Sequence, residues 1–148
     1  MSKKEKHKRQ RFRLQITAST DNLQTIRHFI HELVQKAGFS AEQIDQIELA
    51  VDEACTNVIK HAYRFDATKP IDLEIIIDDQ KAEIIVTDYG SGFDPEKLPE
   101  PDLNHSLKKG RAGGLGIHLM KKVMDDVRFN ITPGKKTKVH LIKFKNKR

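Results

Sequence analysis

Apolar and polar residues alternate near the start of the chain. Phe12, Leu14 and Ile16 are separated by Arg13 and Gln15, a period of two that predicts an opening β-strand. The period then lengthens. Leu23, Ile26, Phe29, Ile30, Leu33 and Val34 recur at helical spacing behind Thr20 or Asp21, either of which can cap the helix, and Gly38 ends it. Ser40 followed by Gln43 has the form of a capping box and predicts a second, longer helix running to about Tyr63. Two strands follow, near 71–77 and 82–88, with polar Asp78-Asp79-Gln80 between them as a hairpin turn. From 89 to 113 the periodicity is lost among prolines and glycines, and a loop of that length in a compact domain tends to be a functional lid. A helix from about Gly114 to Asp125 comes next, and strands near 127–132 and 137–144 flank a Pro133-Gly134 turn. Helices clustered among strand pairs in this order predict an α+β fold: a two-layer α/β sandwich with the helices on one face of a mostly antiparallel sheet.

Length and charge narrow the function. A chain of 148 residues fits one domain around one core. No stretch approaches the ~20 consecutive apolar residues of a membrane span, and the charged first residues have no apolar run after them, so neither a membrane partner nor a signal peptide is expected. The single cysteine, Cys55, offers no internal disulfide and no zinc site, which points to a reducing, cytoplasmic setting. The net charge of +6 lies at the ends, in Lys3, Lys4, Lys6, Lys8, Arg9, Arg11 and Arg13 at one and Lys143, Lys145, Lys147 and Arg148 at the other. Residues 14–142 hold more acids than bases, so a basic DNA-binding face is hard to build and no direct nucleic-acid partner is expected. Residues 1–10 read as a basic, disordered arm and 11–148 as a single domain.

Three segments carry candidate chemistry. On the second helix Ile44, Ile47, Val51, Cys55, Val58 and Ala62 share one apolar arc; Glu53 lies opposite it, and Asn57 and His61 follow at four-residue steps. Glu53 can serve as a general base, and the amide oxygen of Asn57 is a hard, neutral ligand suited to magnesium. The plain alternative is the polar face of any surface helix, with His61 capping or packing near its end and Cys55 a small core residue. The strand ending at Thr87 runs into Asp88-Tyr89-Gly90-Ser91-Gly92, where a carboxylate can accept from an exocyclic amine, although Asp-x-Gly is also a common turn. Gly110-Arg111-Ala112-Gly113-Gly114-Leu115-Gly116 opens the next helix, and its free backbone N–H groups suit phosphate, although a flexible hinge has the same composition. It is not a P-loop, because no Gly-Lys-Ser/Thr ending is present.

In this order the three segments resemble the GHKL, or Bergerat-fold, ATPase and kinase superfamily. The stretch from Glu48 to Tyr63 is similar to its N box, Asp88-Tyr-Gly90-Ser-Gly92 to its first glycine box and Gly113-Gly114-Leu115-Gly116 to its second. Glu-Ala-Cys-Thr-Asn, His-Ala-Tyr and Gly-Gly-Leu-Gly are most similar to the RsbW-type anti-sigma factor serine kinases. The resemblance implies ATP and Mg2+ as cofactors, with Glu53 as general base, Asn57 on the metal, and Asp88 on adenine beside Gly90 and Gly92. It implies that Gly114 and Gly116, with Gly113 and Leu115 in the same box, close over the phosphates, and it makes Arg111, Lys108 and Lys109 candidates to offset their charge. It further implies an anti-sigma antagonist as serine substrate, a sigma factor as a second partner and a homodimer. The alternative expectation is a nucleotide-gated protein-binding module of the same fold with little turnover.

Overall fold

The computed structural model describes residues 9–90 and 113–145. Strand β1 (Gln10–Thr17) turns Phe12, Leu14 and Ile16 inward and leaves the residues between them exposed, as the alternation predicts. It pairs with β2 (Pro70–Ile77), β2 pairs with β3 (Lys81–Asp88), β3 with β5 (Lys136–Phe144), and β5 with β4 (Asp126–Thr132). Every pairing is antiparallel, and the sheet order is β1-β2-β3-β5-β4. Helices α1 (Leu23–Lys36), α2 (Ala41–Asn57) and α3 (Gly113–Val123) complete the fold among the described residues.

One face of the sheet is buried under the helices. Ile26, Ile30 and Val34 of α1 and Ile47, Val51 and Cys55 of α2 join Ile71, Leu73, Ile75, Ile84, Val86 and Leu141 of the sheet in one core. Each such side chain contributes roughly 1.5–3 kcal/mol on burial. The other face carries paired charges, with Arg11 Nε 2.9 Å from Glu74 Oε2 and His140 Nδ1 2.7 Å from Glu83 Oε2, beside the buried Ile85 and Ile142. The two-layer α+β sandwich expected from the pattern is therefore the fold observed.

Local chemistry sets the ends of the elements. The capping box forms in both directions: Ser40 Oγ accepts from the Gln43 N–H, and Gln43 Oε1 accepts from the Ser40 N–H, each at 3.1 Å. The amide of Gln43 also donates to the Phe144 carbonyl at 2.8 Å, tying the start of α2 to the end of β5. At the same end of β5, Lys143 Nζ donates to the Val123 carbonyl at 2.6 Å, which anchors the last turn of α3. Gly38, at φ +93°, ends α1 as expected. The cap of the first helical segment is different from that expected. Ser19, not Thr20 or Asp21, accepts from the Asp21 N–H at 3.1 Å and starts a 3-10 turn, Thr20–Asn22, that leads into α1.

The second helix also departs from a uniform α-helix. Past Asn57 it widens into a π-helical turn, Val58–Ala62, closed by the Tyr63 N–H on the Val58 carbonyl at 2.9 Å. Such turns change the face that the following residues present. Arg64 (φ +49°) and Phe65 (φ +67°) then reverse the chain toward β2 in the left-handed region, which costs roughly 1–2 kcal/mol per non-glycine residue.

Candidate active site

The polar stripe of α2 meets the first turn of α3. Glu53 and Asn57 are half-buried, one turn apart on the same face. A Cβ placed on Gly116 would lie 2.6 Å from Glu53 Oε1 and 3.8 Å from Asn57 Nδ2. Glu53 and Asn57 belong to one sequence motif and Gly116 to another; the fold brings the two together. Burial raises the pKa of Glu53 above the ordinary carboxylate value, the neighbouring charge of Asp52 adds to the rise, and the charge of Lys60 opposes it. Asp52 is itself held from α1, where Arg27 places Nε and Nη2 each 3.1 Å from Asp52 Oδ1.

The end of β3 forms the second wall. Asp88 points to the core side and is 5% exposed, and burial raises its pKa, partly offset by the Gly90 N–H that donates to its Oδ1 at 2.9 Å. Gly90 is required by contact: a Cβ there would come 2.7 Å from the Ala62 carbonyl oxygen, which the π turn brings up against this loop. His61, expected on the stripe with Glu53 and Asn57, is exposed, and the slot is lined by Asn57, Val58 and Ala62 instead. The π turn breaks the four-residue step that the helical wheel assumed.

Between these walls lies a narrow slot whose lining includes Asn57, Ala62, Val86, Asp88, Met120 and Thr137. Thr137 is the residue that motif reading missed. It pairs with Asp88 across the β3–β5 ladder, and its hydroxyl oxygen is buried with no hydrogen-bond partner among the described residues. A buried orphan hydroxyl is costly unless something else satisfies it. An acceptor carboxylate beside a free hydroxyl, in a slot otherwise lined largely by apolar side chains, suits a flat heteroaromatic ring with an exocyclic amine. A roomier groove over Gln24, Arg27, His28 and His31 is open and polar, and lies away from Asp88 and Thr137.

Of the other expected site residues, Gly92 and Arg111 lie outside the described residues, as do Lys108, Lys109 and almost the whole lid. Gly113, Gly114 and Leu115 form the start of α3, as expected of a loop that opens a helix. Cys55 is fully buried in the core, and burial pushes its thiol up to about 12, which removes it as a nucleophile. No helix of the described residues is long and apolar enough to cross a membrane.

This combination of a helix-borne acid and amide, an aspartate–glycine turn and a helix opened by glycines has relatives. Residues 16–143 match the histidine kinase-like ATPase domain family. The serine-protein kinase RsbW of Bacillus licheniformis is 35% identical over 126 residues, covering 82% of this chain and 78% of that protein. RsbW of Listeria monocytogenes is 34% identical over 125 residues, covering 82% of this chain and 80% of that protein. Two solved structures share the fold. The RsbU and RsbW domains of a Mycobacterium tuberculosis protein superpose with TM-score 0.66 at 16% identity, over 93% of this chain and 33% of that one. The SiaB–SiaC complex of Pseudomonas aeruginosa gives 0.67 at 11% identity, over 88% of each chain. The chain belongs to the histidine kinase-like ATPase domain family and, within it, to the RsbW serine-protein kinases. Use of ATP follows from that membership.

Proposed function

We propose that this protein is an ATP-dependent serine kinase and anti-sigma factor that phosphorylates an anti-sigma antagonist and sequesters a sigma factor. One observation carries the site: Glu53 and Asn57 converge on the first turn of α3 beside the Asp88–Thr137 slot. Adenine would seat at this slot, with Asp88 accepting from its amine and the unpaired Thr137 hydroxyl bonding its ring. Gly90 and Gly92 shape that wall. The phosphates then run along α2 toward the start of α3, where backbone N–H groups of Gly113, Gly114, Leu115 and Gly116 face them. Arg111 offsets their charge from the lid.

Among the described residues no cluster of three or more His, Cys, Asp or Glu side chains is arranged to hold a metal. Mg2+ would therefore be held by Asn57 together with phosphate oxygens and water, and would neutralise charge on the phosphates. Glu53 accepts the proton of the antagonist's serine hydroxyl as the serine oxygen bonds to the γ-phosphorus. The bond from that phosphorus to the bridging oxygen breaks, and its electron pair leaves with ADP. Glu53 then releases its proton to solvent. Its raised pKa makes it a stronger base than a solvated carboxylate.

In this reading residues 11–148 are one kinase domain behind a basic arm, working as a cytoplasmic homodimer with protein partners and no direct nucleic-acid contact. The test is incubation of the purified protein with labelled ATP, magnesium and its cognate antagonist, and separately with the sigma factor. Phosphoserine on the antagonist and a nucleotide-dependent sigma complex are expected. An unmodified antagonist, despite tight ATP binding, would reject it as substrate and leave a nucleotide-gated binding module.

A further inference from the structure

We infer that Gly116 is a positioning residue for phosphotransfer, because the space left by its missing side chain is the seat of the Glu53 carboxylate. The inference rests on the assignment of Glu53 as base and deepens it. Family likeness makes Gly116 part of a loop that closes over phosphates. Its contact with Glu53 adds a second role that involves no nucleotide.

The contact is specific. A Cβ on Gly116 would stand 2.6 Å from Glu53 Oε1 and 3.6 Å from its Cδ, whereas Asn57 Nδ2 would be at an ordinary 3.8 Å. The first distance is closer than Cβ atoms approach oxygen in real proteins, so any side chain at 116 displaces the carboxylate or the helix. The helix is not free to retreat. Its far end is fixed by Lys143 Nζ on the Val123 carbonyl, and Ile117 and Met120, on the turn that follows Gly116, are buried in the core. The carboxylate is the softer element, since it is half-buried and hangs on a flexible stem. A side chain at 116 thus moves the base. A misplacement of about 1 Å can cost a hundredfold in rate.

Gly116 has no positive φ to explain its identity. Within a helix, alanine is intrinsically better than glycine. A cycle of substitutions therefore separates the two roles. In wild-type background, Gly116→Ala is expected to leave the thermal midpoint little changed, because displacing the carboxylate offsets the helix preference for alanine. In the Glu53→Ala background the same change is expected to raise it, because the clash is gone and only the helix preference remains. This readout needs no nucleotide and stands whether or not the protein phosphorylates an antagonist.

The second arm reads the reaction. Gly116→Ala should lower kcat by about ten- to a hundredfold, with ATP affinity changed by less than about threefold. Glu53→Asp withdraws the carboxylate by about one bond length, roughly 1.5 Å. The double variant Glu53→Asp, Gly116→Ala should therefore be more active than the product of the two single effects. The same thermal shift in both backgrounds, or singles that simply multiply while ATP affinity falls in step with kcat, would overturn the inference and return Gly116 to the phosphate loop alone.

Discussion

The Tyr63 hydroxyl accepts a hydrogen bond from the backbone N–H of Tyr89 at 2.7 Å and donates to the Pro70 carbonyl at 2.6 Å. One buried side chain thus ties the end of the π turn to the start of β2 and to the residue that follows Asp88. Tyr63→Phe keeps the ring in the core but leaves two backbone groups without this partner. A loss of about 1–3 kcal/mol in unfolding free energy is expected, measured by denaturant titration. ATP affinity should fall severalfold with kcat little changed, because the substitution loosens the Asp88 turn and touches no phosphate. An affinity loss with unchanged stability would place Tyr63 on the ligand instead.

Asp88 sets affinity against stability. Its pKa is raised in the fold by burial, so the native state holds its proton more tightly than the unfolded chain does. The stability it contributes is full below its unfolded pKa and is lost as pH rises through the folded value. At neutral pH the buried charge is thus a net cost. Asp88→Asn should raise the thermal midpoint by about 2–4 °C near pH 7, and the gain should vanish in acid. The same variant should bind adenine nucleotides at least about tenfold more weakly, roughly 1.4 kcal/mol. Calorimetry and thermal melts across pH decide both halves.

The parts of this fold that were legible in the sequence are those set by neighbours in the chain. The Ser40–Gln43 capping box, the alternation in β1 and the burial of Cys55 are local or periodic properties, and each appears where the pattern put it. Glu53 and Asn57 share a face because four residues make about one helical turn. His61 lies past Asn57 in a π turn, which hydrophobic spacing does not reveal. Thr137 was invisible for a different reason. Its meaning depends on the β3–β5 register that sets it opposite Asp88, and no single-segment pattern fixes a register between strands so far apart. The seat of Glu53 at Gly116 is likewise a tertiary contact. Glycine spacing identified the loop but not what stands against it.

The Thr137 hydroxyl separates a ligand contact from a packing residue. Valine has nearly the same shape and no oxygen. If the hydroxyl serves only the fold, Thr137→Val is neutral or harmful everywhere. As an unpaired buried group waiting for a base, its removal should stabilise the nucleotide-free protein by about 1 kcal/mol. ATP affinity should fall by about tenfold, and the stabilisation conferred by ATP should shrink accordingly. Unchanged affinity would remove Thr137 from the site.

The last prediction concerns the acid limb of the reaction. Glu53 must be ionised to accept the serine proton, and burial holds its pKa above the ordinary 4.5. The single-turnover rate should therefore begin to fall, as pH drops, at a higher pH than an unperturbed glutamate would allow. The neighbours give the shift a direction. Asp52→Asn removes a negative charge that raises the pKa, so the limb should move to lower pH; Lys60→Met removes a positive charge that lowers it, so the limb should move to higher pH. Glu53→Gln should abolish the limb together with nearly all transfer while ATP still binds. A rate profile that ignores both neighbours would mean that another group takes the proton, and Glu53 would then be only a positioning residue for the nucleotide.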